Sequence, residues 1–283
     1  MRVIDCHCHI YPQKIAHKAV EAIGDFYHIP MQMDGTIDTL LKEGGLAGVT
    51  DFLVHSVATT PHQVKSVNEF VAKEVSLFPD KLIGFGTLHP ESQDIKGDIE
   101  HLIALGLKGV KLHPDFLGIP IDDERYFEIY ERAEGRLPIC FHTGDDRYDY
   151  SNPNRVAPLL KRFPNLTVIA AHFGGYTVWE EASYALAGAP NLYVDCSSSL
   201  FALTPKKATE IVRRYGADRV LFGTDYPMWN PRGELERFDK LDLTQSEREN
   251  ILFKNAEALL GLSPSVDNGQ VNENIDSADK KVG

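Results

Sequence analysis

The chain has 283 residues, of which 43% are hydrophobic and 25% are charged, proportions that favour a globular protein with a large buried core. A net charge of -12 without any strongly basic segment argues against nucleic acid and anionic membranes as partners, because both require clustered Lys and Arg. No segment approaches the roughly 18 consecutive apolar residues of a membrane-spanning helix, and the N-terminus lacks a signal-peptide pattern, so we expect a cytoplasmic protein.

Short, mostly apolar strand-like runs alternate with amphipathic helical segments along the chain. The sequence predicts eight strands, at Arg2–Asp5, Asp51–Ser56, Leu82–Thr87, Gly109–His113, Ile139–His142, Thr167–Ala171, Leu192–Asp195 and Val220–Gly223. Helices are predicted among them at Gln63–Phe78, Asp94–Leu105, Asp123–Ala133, Asn154–Phe163 and Pro205–Tyr215. Nearly continuous apolar runs are typical of parallel strands that are covered on both faces. Eight such units over about 260 residues predict an α/β fold, a single-domain (β/α)8 TIM barrel.

A doubly wound open sheet is the alternative, but it usually carries a glycine-rich turn after its first strand. Here the first strand runs into His7-Cys8-His9, which favours the barrel. Two helical pieces, Lys14–Ile23 and Thr36–Glu43, lengthen the first strand-to-helix connection. This connection either covers the catalytic mouth of the barrel or is a surface excursion without a role.

The C-terminal part of the chain changes composition after the last predicted helix, Ser246–Leu260, which is expected to close the barrel. Residues 263–283 are rich in Asn, Asp, Ser, Gly and Lys and contain few apolar side chains. We therefore expect one domain over 1–262 and a disordered tail over 263–283.

The motif Asp5-Cys6-His7-Cys8-His9 has the spacing of a metal-binding pair. Side-chain direction repeats every second residue on a strand, so His7 and His9 point the same way. Two adjacent imidazoles suit an ion that takes nitrogen ligands at about 2.0–2.1 Å. Cys6 and Cys8 alternate with the histidines and are expected to pack against helices. Because all four cysteines lie in apolar strand-like runs, buried reduced thiols are expected rather than disulfides.

Barrel enzymes carry their catalytic groups at the C-terminal ends of the strands. Seven of the eleven histidines lie at or near such ends, namely His7, His9, His55, His89, His113, His142 and His172. Asp225 follows the last strand and can face the histidine pair, because the last strand neighbours the first when the sheet closes. The predicted ligand set is therefore His7, His9, His142 and Asp225.

Three imidazoles and one carboxylate suit a single divalent ion. Zn(II) is the expected ion, with Mn(II), Fe(II) or Co(II) as substitutes. A catalytic site would keep one position open for water, whereas a structural site would be closed by four protein ligands.

Other side chains at the same end of the barrel are candidates for catalysis or substrate binding. His172 is either another ligand or, as we favour, a catalytic imidazole that polarises the oxygen of the substrate. Lys111 is a carboxylated bridging ligand of a two-metal site, a group for an anionic substrate, or a lysine that faces solvent or pairs with a carboxylate. The predicted substrate-binding residues are His89, Lys111, His113, Arg147, Tyr226 and Trp229.

Four motifs in this order resemble the metal-dependent amidohydrolase superfamily. They are Asp5-x-His7-x-His9, Phe141-His142-Thr143-Gly144, Ala171-His172-Phe173-Gly174-Gly175 and Gly223-Thr224-Asp225-Tyr226-Pro227. The resemblance covers roughly residues 1–262. It is nearest to the amidohydrolase-related branch that includes aminocarboxymuconate-semialdehyde decarboxylase and the resorcylate decarboxylases.

The resemblance implies a (β/α)8 barrel with one catalytic divalent metal, commonly zinc. It implies ligation by His7, His9, His142 and Asp225, with His172 catalytic beside the metal-bound water. The aminocarboxymuconate enzyme binds its substrate through an arginine of its first long loop. Residues 10–49 contain no arginine here, which argues against that substrate.

The function expected from these residues is hydrolysis of a small amide, ester or lactone by a metal-activated water. Asp225 would accept the proton of that water, and His172 would stabilise the oxyanion. The alternative is non-oxidative decarboxylation of a small unsaturated or aromatic acid, and a further alternative is a metal-binding barrel without catalysis. The expected partner is a small-molecule substrate, together with a second copy of the chain in a homodimer. Metal release is expected below about pH 6, as the histidine ligands protonate.

Overall fold

Parallel strands close into a barrel in the structure, a computed structural model that describes residues 1–264. The strand segments in this part of the chain are β1 Ile4–His9, β2 Asp51–His55, β3 Leu82–Gly84, β4 Gly86–Thr87, β5 Val110–Leu112, β6 Ile139–Phe141, β7 Val168–Ala170, β8 Leu192–Asp195 and β9 Val220–Leu221. β3 and β4 flank Phe85, whose N–H donates to the Val54 carbonyl at 3.0 Å. They are two halves of one barrel strand, so the barrel has the eight strands predicted from the sequence.

Hydrogen bonds between the first and last strands close the sheet. Neighbouring strands run in the orders β1-β2-β3 and β4-β5-β6-β7-β8-β9, and all of these pairs are parallel. The Cys6 N–H donates to the Phe222 carbonyl at 2.8 Å, and the His9 N–H donates to the Tyr226 carbonyl at 2.7 Å. The histidine motif of β1 therefore lies beside the segment that follows β9.

Helices occupy the connections between strands and pack their apolar sides on the barrel. They are α1 Ala16–Tyr27, α2 Ile37–Ala47, α3 Val64–Leu77, α4 Ile95–Ala104, α5 Pro114–Leu117, α6 Phe127–Ala133, α7 Pro153–Arg162, α8 Trp179–Leu186, α9 Pro205–Tyr215, α10 Pro231–Phe238, α11 Gln245–Glu249 and α12 Asn255–Leu260. Short 3-10 turns at Pro61–Gln63 and Glu124–Tyr126 precede α3 and α6.

Helix starts follow from local capping residues. The Thr204 hydroxyl accepts the Lys207 N–H before α9, and Pro205 takes the first helical position, where a missing N–H leaves no bond unmade. The observed bounds of α9 equal the predicted ones. Thr244 and Glu247 form a reciprocal capping box at the start of α11.

The C-terminal helical segment closes the barrel as predicted. A π-helical turn, Asn250–Lys254, joins α11 to α12 and frees the Ile251 carbonyl to accept the Phe222 N–H at 3.0 Å. Most of the predicted tail, 265–283, lies outside the described residues. Within the described part, no helix is both long and apolar enough to cross a membrane.

Gly144 lies where two loops at the catalytic end of the barrel meet. Its φ is +79°, and a Cβ there would lie 2.4 Å from the Tyr176 nitrogen and 2.5 Å from the Gly175 backbone. Gly106 has nearly the same φ, +78°, but a Cβ there would meet nothing within 4 Å. A substitution at Gly106 therefore tests the effect of the left-handed backbone alone, whereas one at Gly144 tests that effect together with steric crowding.

We expect Gly106→Ala to lose about 1–2 kcal/mol of unfolding free energy, the usual penalty for the left-handed conformation. We expect Gly144→Ala to lose about 3 kcal/mol or more, because the methyl group must also displace backbone atoms. Urea unfolding of the two variants measures the difference. Equal losses would show that the loops separate freely at Gly144.

Candidate metal centre

Three of the four predicted ligands converge at the end of the barrel where β1 meets the segment after β9. The Nε2 atoms of His7 and His9 are 3.3 Å apart. The Oδ1 atom of Asp225 is 3.3 Å from the first of these nitrogens and 3.5 Å from the second. Two imidazoles of β1 and one carboxylate thus face a common point.

A buried carboxylate orients His7. The Nδ1–H of His7 donates to Asp195 Oδ2 at 2.9 Å, since a carboxylate can only accept. The remaining ring nitrogen, Nε2, is therefore unprotonated in the neutral ring and directs its lone pair at His9 and Asp225. Such carboxylate-to-histidine pairs commonly orient the imidazoles that bind metals.

Asp5, the first residue of the histidine motif, has a structural part in the site. Its carboxylate accepts the Thr224 N–H at 2.9 Å and the Thr224 hydroxyl at 2.6 Å. Asp225 follows directly, with φ +61°, and its Oδ2 accepts the Ser198 hydroxyl at 2.5 Å. These bonds hold Oδ1 of Asp225 toward the histidine pair.

His142, the fourth predicted ligand, lies at the same end of the barrel but contacts other groups. Its Nδ1 is 3.1 Å from His172 Nε2 and 3.4 Å from the Tyr27 hydroxyl. Its Nε2 is 3.4 Å from Asp115 Oδ2. His142 is thus tied to the predicted catalytic histidine more closely than to the pair on β1.

The contacts of His172 favour a proton on Nδ1. This nitrogen is 3.1 Å from the Ser197 carbonyl, which only accepts, and 2.9 Å from the Ser197 hydroxyl, which itself donates to Asp195. The residue has φ +60°, and its N–H donates to Asp195 at 3.1 Å. Nε2 of the neutral ring therefore carries a lone pair and acts as an acceptor.

Lys111 is completely buried on β5, within the barrel. Its Nζ is 3.1 Å from His7 Nε2 and 3.6 Å from Cys140 Sγ. Among residues 1–264, no carboxylate forms an ion pair with it. The alternative of a solvent-facing or carboxylate-paired lysine is therefore wrong, and a role at the metal or substrate remains.

The other predicted substrate-binding residues fall into two groups. His113 faces the site, with its ring stacked on His142 at 4.1 Å and its Nε2 2.9 Å from the Tyr27 hydroxyl. Trp229 reaches the site indirectly, because its indole N–H donates to the Ser198 hydroxyl that bonds Asp225. The rest have partners away from the site: His89 with the Glu91 N–H, Arg147 with Asp145, and the Tyr226 hydroxyl with the Thr36 carbonyl.

A cavity of about 350 Å³, part of it open to solvent, lies over this cluster. Its walls include His9, His113, His142, His172 and Asp225, together with side chains from the first strand-to-helix connection, Ile23, Tyr27 and Met31. That connection therefore covers the mouth of the barrel. This agrees with the first of the two alternatives from the sequence and not with a surface excursion without a role.

Burial sets the charge of these groups. Loss of hydration lowers the pKa values of His7, His9 and His142 well below the ordinary histidine value, and lowers that of His172 to about 4. Burial also raises the pKa of Asp225 to about 6. The histidines are thus neutral at pH 7 and offer lone pairs rather than protons.

The donor set fits a divalent cation. Closely packed neutral imidazole nitrogens and a carboxylate repel one another through their lone pairs, and Lys111 Nζ contacts His7 Nε2 but forms no hydrogen bond with His9 or Asp225 within residues 1–264. Nitrogen and oxygen ligands of this kind suit Zn(II) and neighbouring divalent ions. His7, His9 and Asp225 would hold such an ion, with His142 beside them.

Several site residues escaped the sequence analysis. Asp195 ended a predicted strand and so carried a positional signal, and the run Ser197–Ser199 follows it after Cys196. Tyr27 could not be placed, because its approach to the site depends on how the first connection folds back. All four cysteines are buried and unpaired, as predicted.

The sequence profile of the amidohydrolase family, Amidohydro_2, matches residues 4–262. No curated protein matches the sequence. Among solved structures, an uncharacterized TIM-barrel protein from Bordetella bronchiseptica has a TM-score of 0.76 at 23% identity, covering 93% of this chain and 99% of that one.

Two solved decarboxylases share the fold. 5-Carboxyvanillate decarboxylase LigW from Sphingomonas paucimobilis has a TM-score of 0.71 at 16% identity, covering 93% of this chain and 99% of that one. A dihydroxybenzoic acid decarboxylase from Polaromonas sp. JS666, with bound manganese and the inhibitor 2-nitroresorcinol, has a TM-score of 0.73 at 16% identity, covering 93% and 98%. At these identities the likeness shows the fold, which confirms the TIM barrel.

The pKa values change the expected pH dependence of metal binding. Below pH 6.5 the first competing proton should be taken by Asp225, whose pKa is about 6, and not by the histidines, whose pKa values are lowered. We expect the logarithm of the Zn(II) dissociation constant to rise by about one unit per pH unit between roughly pH 6 and 5.

Chelator competition at each pH measures this slope, and Asp225→Asn should remove it. Histidines with the ordinary pKa of about 6.5 would instead give a slope approaching three, since three imidazoles would protonate together. That result would contradict the buried, neutral state of the cluster.

Proposed function

The chain belongs to the amidohydrolase family, and from that membership we propose that it is a metal-dependent decarboxylase of a small aromatic or unsaturated carboxylic acid. Decarboxylation was the alternative prediction from the sequence, and we now prefer it to hydrolysis. The solved decarboxylases that share the fold support this order. The observation that carries it is the 3.1 Å contact between His172 Nδ1 and the Ser197 carbonyl, which favours a proton on Nδ1 and leaves Nε2 to accept a hydrogen bond and not to donate one to an oxyanion.

The lining of the cavity, which is mainly aromatic and aliphatic with a few polar groups, suits a small ring. The parallel rings of Phe116 and His113, with centroids 3.5 Å apart, and the hydroxyl of Tyr27 form one wall. Lys111, buried with its Nζ 3.1 Å from His7 Nε2, is proposed to contact an anionic group of the substrate.

Asp225 is the proposed proton donor. With a pKa of about 6, its carboxyl group is partly protonated near neutral pH. The proton passes from Asp225 to the carbon that bears the substrate carboxylate; the bond to that carboxylate breaks, its electron pair stays on the carbon, and CO2 leaves. The carboxylate of Asp225 then regains a proton from water, so that one substrate and one proton yield one product and one CO2.

His172 is proposed to accept rather than donate. Its Nε2 lone pair can take the hydrogen bond of a hydroxyl next to the reacting carbon, which places electron density on the ring. The Ser197 carbonyl holds this tautomer throughout.

A divalent ion, Zn(II) or Mn(II), would supply positive charge for the oxygens of the substrate when it is bound. His7, His9 and His142 are the residues proposed to hold it, joined by Asp225 when its carboxyl group is ionised. A small-molecule substrate and a homodimer stay proposals, and we propose no nucleic-acid or membrane partner.

Hydrolysis of an amide, ester or lactone is the second candidate. The family description, amidohydrolase, favours it, and Asp225 could accept a proton from water as its anion. The third reading, a barrel without catalysis, fits poorly with membership of an enzyme family.

The reaction class is tested with metal-loaded protein and a panel of hydroxybenzoates, unsaturated acids, lactones and amides in water enriched in oxygen-18. We expect CO2 in a one-to-one ratio to a non-volatile product that carries no oxygen-18. Product labelled with oxygen-18 and formed without CO2 would select hydrolysis.

Asp225→Asn should lower kcat by at least about 1,000-fold on any substrate found, because proton delivery to carbon is lost. Circular dichroism should show an unchanged fold. Asp218→Asn, which changes an exposed carboxylate remote from the cavity, is the control and should keep full activity. Near-normal turnover by Asp225→Asn would contradict this scheme.

A further inference from the structure

His55 is a buried histidine without a role in the scheme above. It ends β2 and pairs in register with His9 of β1. The side chain is fully buried, and neither ring nitrogen has a hydrogen-bond partner within the described part of the chain. Buried polar groups are nearly always paired, so an imidazole with two unpaired nitrogens requires an explanation.

The ring of His55 lies against both histidines of the motif. Its centroid is 4.4 Å from that of His9, at an interplanar angle of 88°, and 4.9 Å from that of His7, at 74°. One ring nitrogen from each of the three residues falls within 4.8 Å of the others. The cluster therefore contains a third imidazole that the sequence motif does not include.

We propose that His55 is a further ligand of the metal centre, binding the ion together with His7 and His9. The proposal rests on the metal site of the proposed function but concerns metal binding alone. A purely packing role would leave two buried nitrogens unpaired, and a hydrogen-bonding role lacks a partner. A cation at this place would give one of the nitrogens its missing partner.

His55 would add to the ligands of the proposed function and would not replace His142. Nδ1 of His142 contacts His172 and Tyr27, while its Nε2 has no hydrogen-bond partner within the described residues. Both nitrogens of His55 lack partners, so it can turn one toward the ion without breaking any bond. Imidazole nitrogens are ligands of the kind that Zn(II) takes.

The test compares Zn(II) and Co(II) binding by the whole chain and by His55→Phe, which keeps a ring of similar size without nitrogens. Chelator competition measures the Zn(II) dissociation constant, and the visible spectrum of Co(II) reports its ligands. We expect at least about a 10-fold weaker Zn(II) affinity and a changed Co(II) spectrum.

His89→Phe is the matched control, because His89 is also a buried histidine near the end of a barrel strand but bonds the Glu91 N–H outside the cavity. It should bind Zn(II) within about twofold of the unchanged protein. If His55→Phe does not fold, His55→Gln must show the same loss. Affinity within twofold and an unchanged Co(II) spectrum in the folded variant would overturn the proposal.

These measurements use no substrate. A failure of His55 to affect metal binding would leave the decarboxylation experiment unaffected. Equally, absence of CO2 release would leave the ligand assignment standing, so the two proposals fail separately.

Discussion

The hydrogen bonds between Asp5 and Thr224 are the interaction on which the metal centre depends. They join the first strand of the barrel to the segment after the last one, two parts of the chain more than 200 residues apart in sequence. Together with the backbone bonds from Cys6 to Phe222 and from His9 to Tyr226, they fix Asp225 relative to His7 and His9. The contacts that close the barrel thus also assemble the ligands, so folding and site formation are coupled.

Low hydration is the second constraint. The cluster gathers several imidazoles, a lysine and carboxylates in a region from which water is largely excluded. Burial disfavours the charged forms of the histidines and of Asp225, so the histidines stay neutral and the pKa of Asp225 rises to about 6. Acceptor nitrogens and a carboxyl group that takes up a proton more readily than an exposed aspartate therefore coexist within one small cavity.

Much of this arrangement could be predicted from the sequence, because it depends on two regular patterns: the alternation of side chains along a strand and the repeat of eight strands. Alternation along β1 correctly placed His7 and His9 on one face, and the count of eight strands brought Asp225 beside them. Neither pattern predicts the position of a side chain that lies in a long connection between strand and helix. Tyr27 folds over the cavity from α1, and only the three-dimensional path of that connection shows it. His55 was identified as a strand-end histidine, yet its lack of hydrogen-bond partners is a property of packing that no spacing encodes.

The backbone conformations of His172 and Asp225 have a consequence for how such a protein can change over generations. Both residues have left-handed φ angles, +60° and +61°, which disfavour side chains that carry a Cβ. Glycine at either position would relieve that conformational penalty but would lose the side-chain contacts with Ser197 and Ser198. The left-handed backbone at His172 and Asp225 is therefore a stability cost of placing these two side chains in the site, and their retention is expected to depend on continued selection for activity.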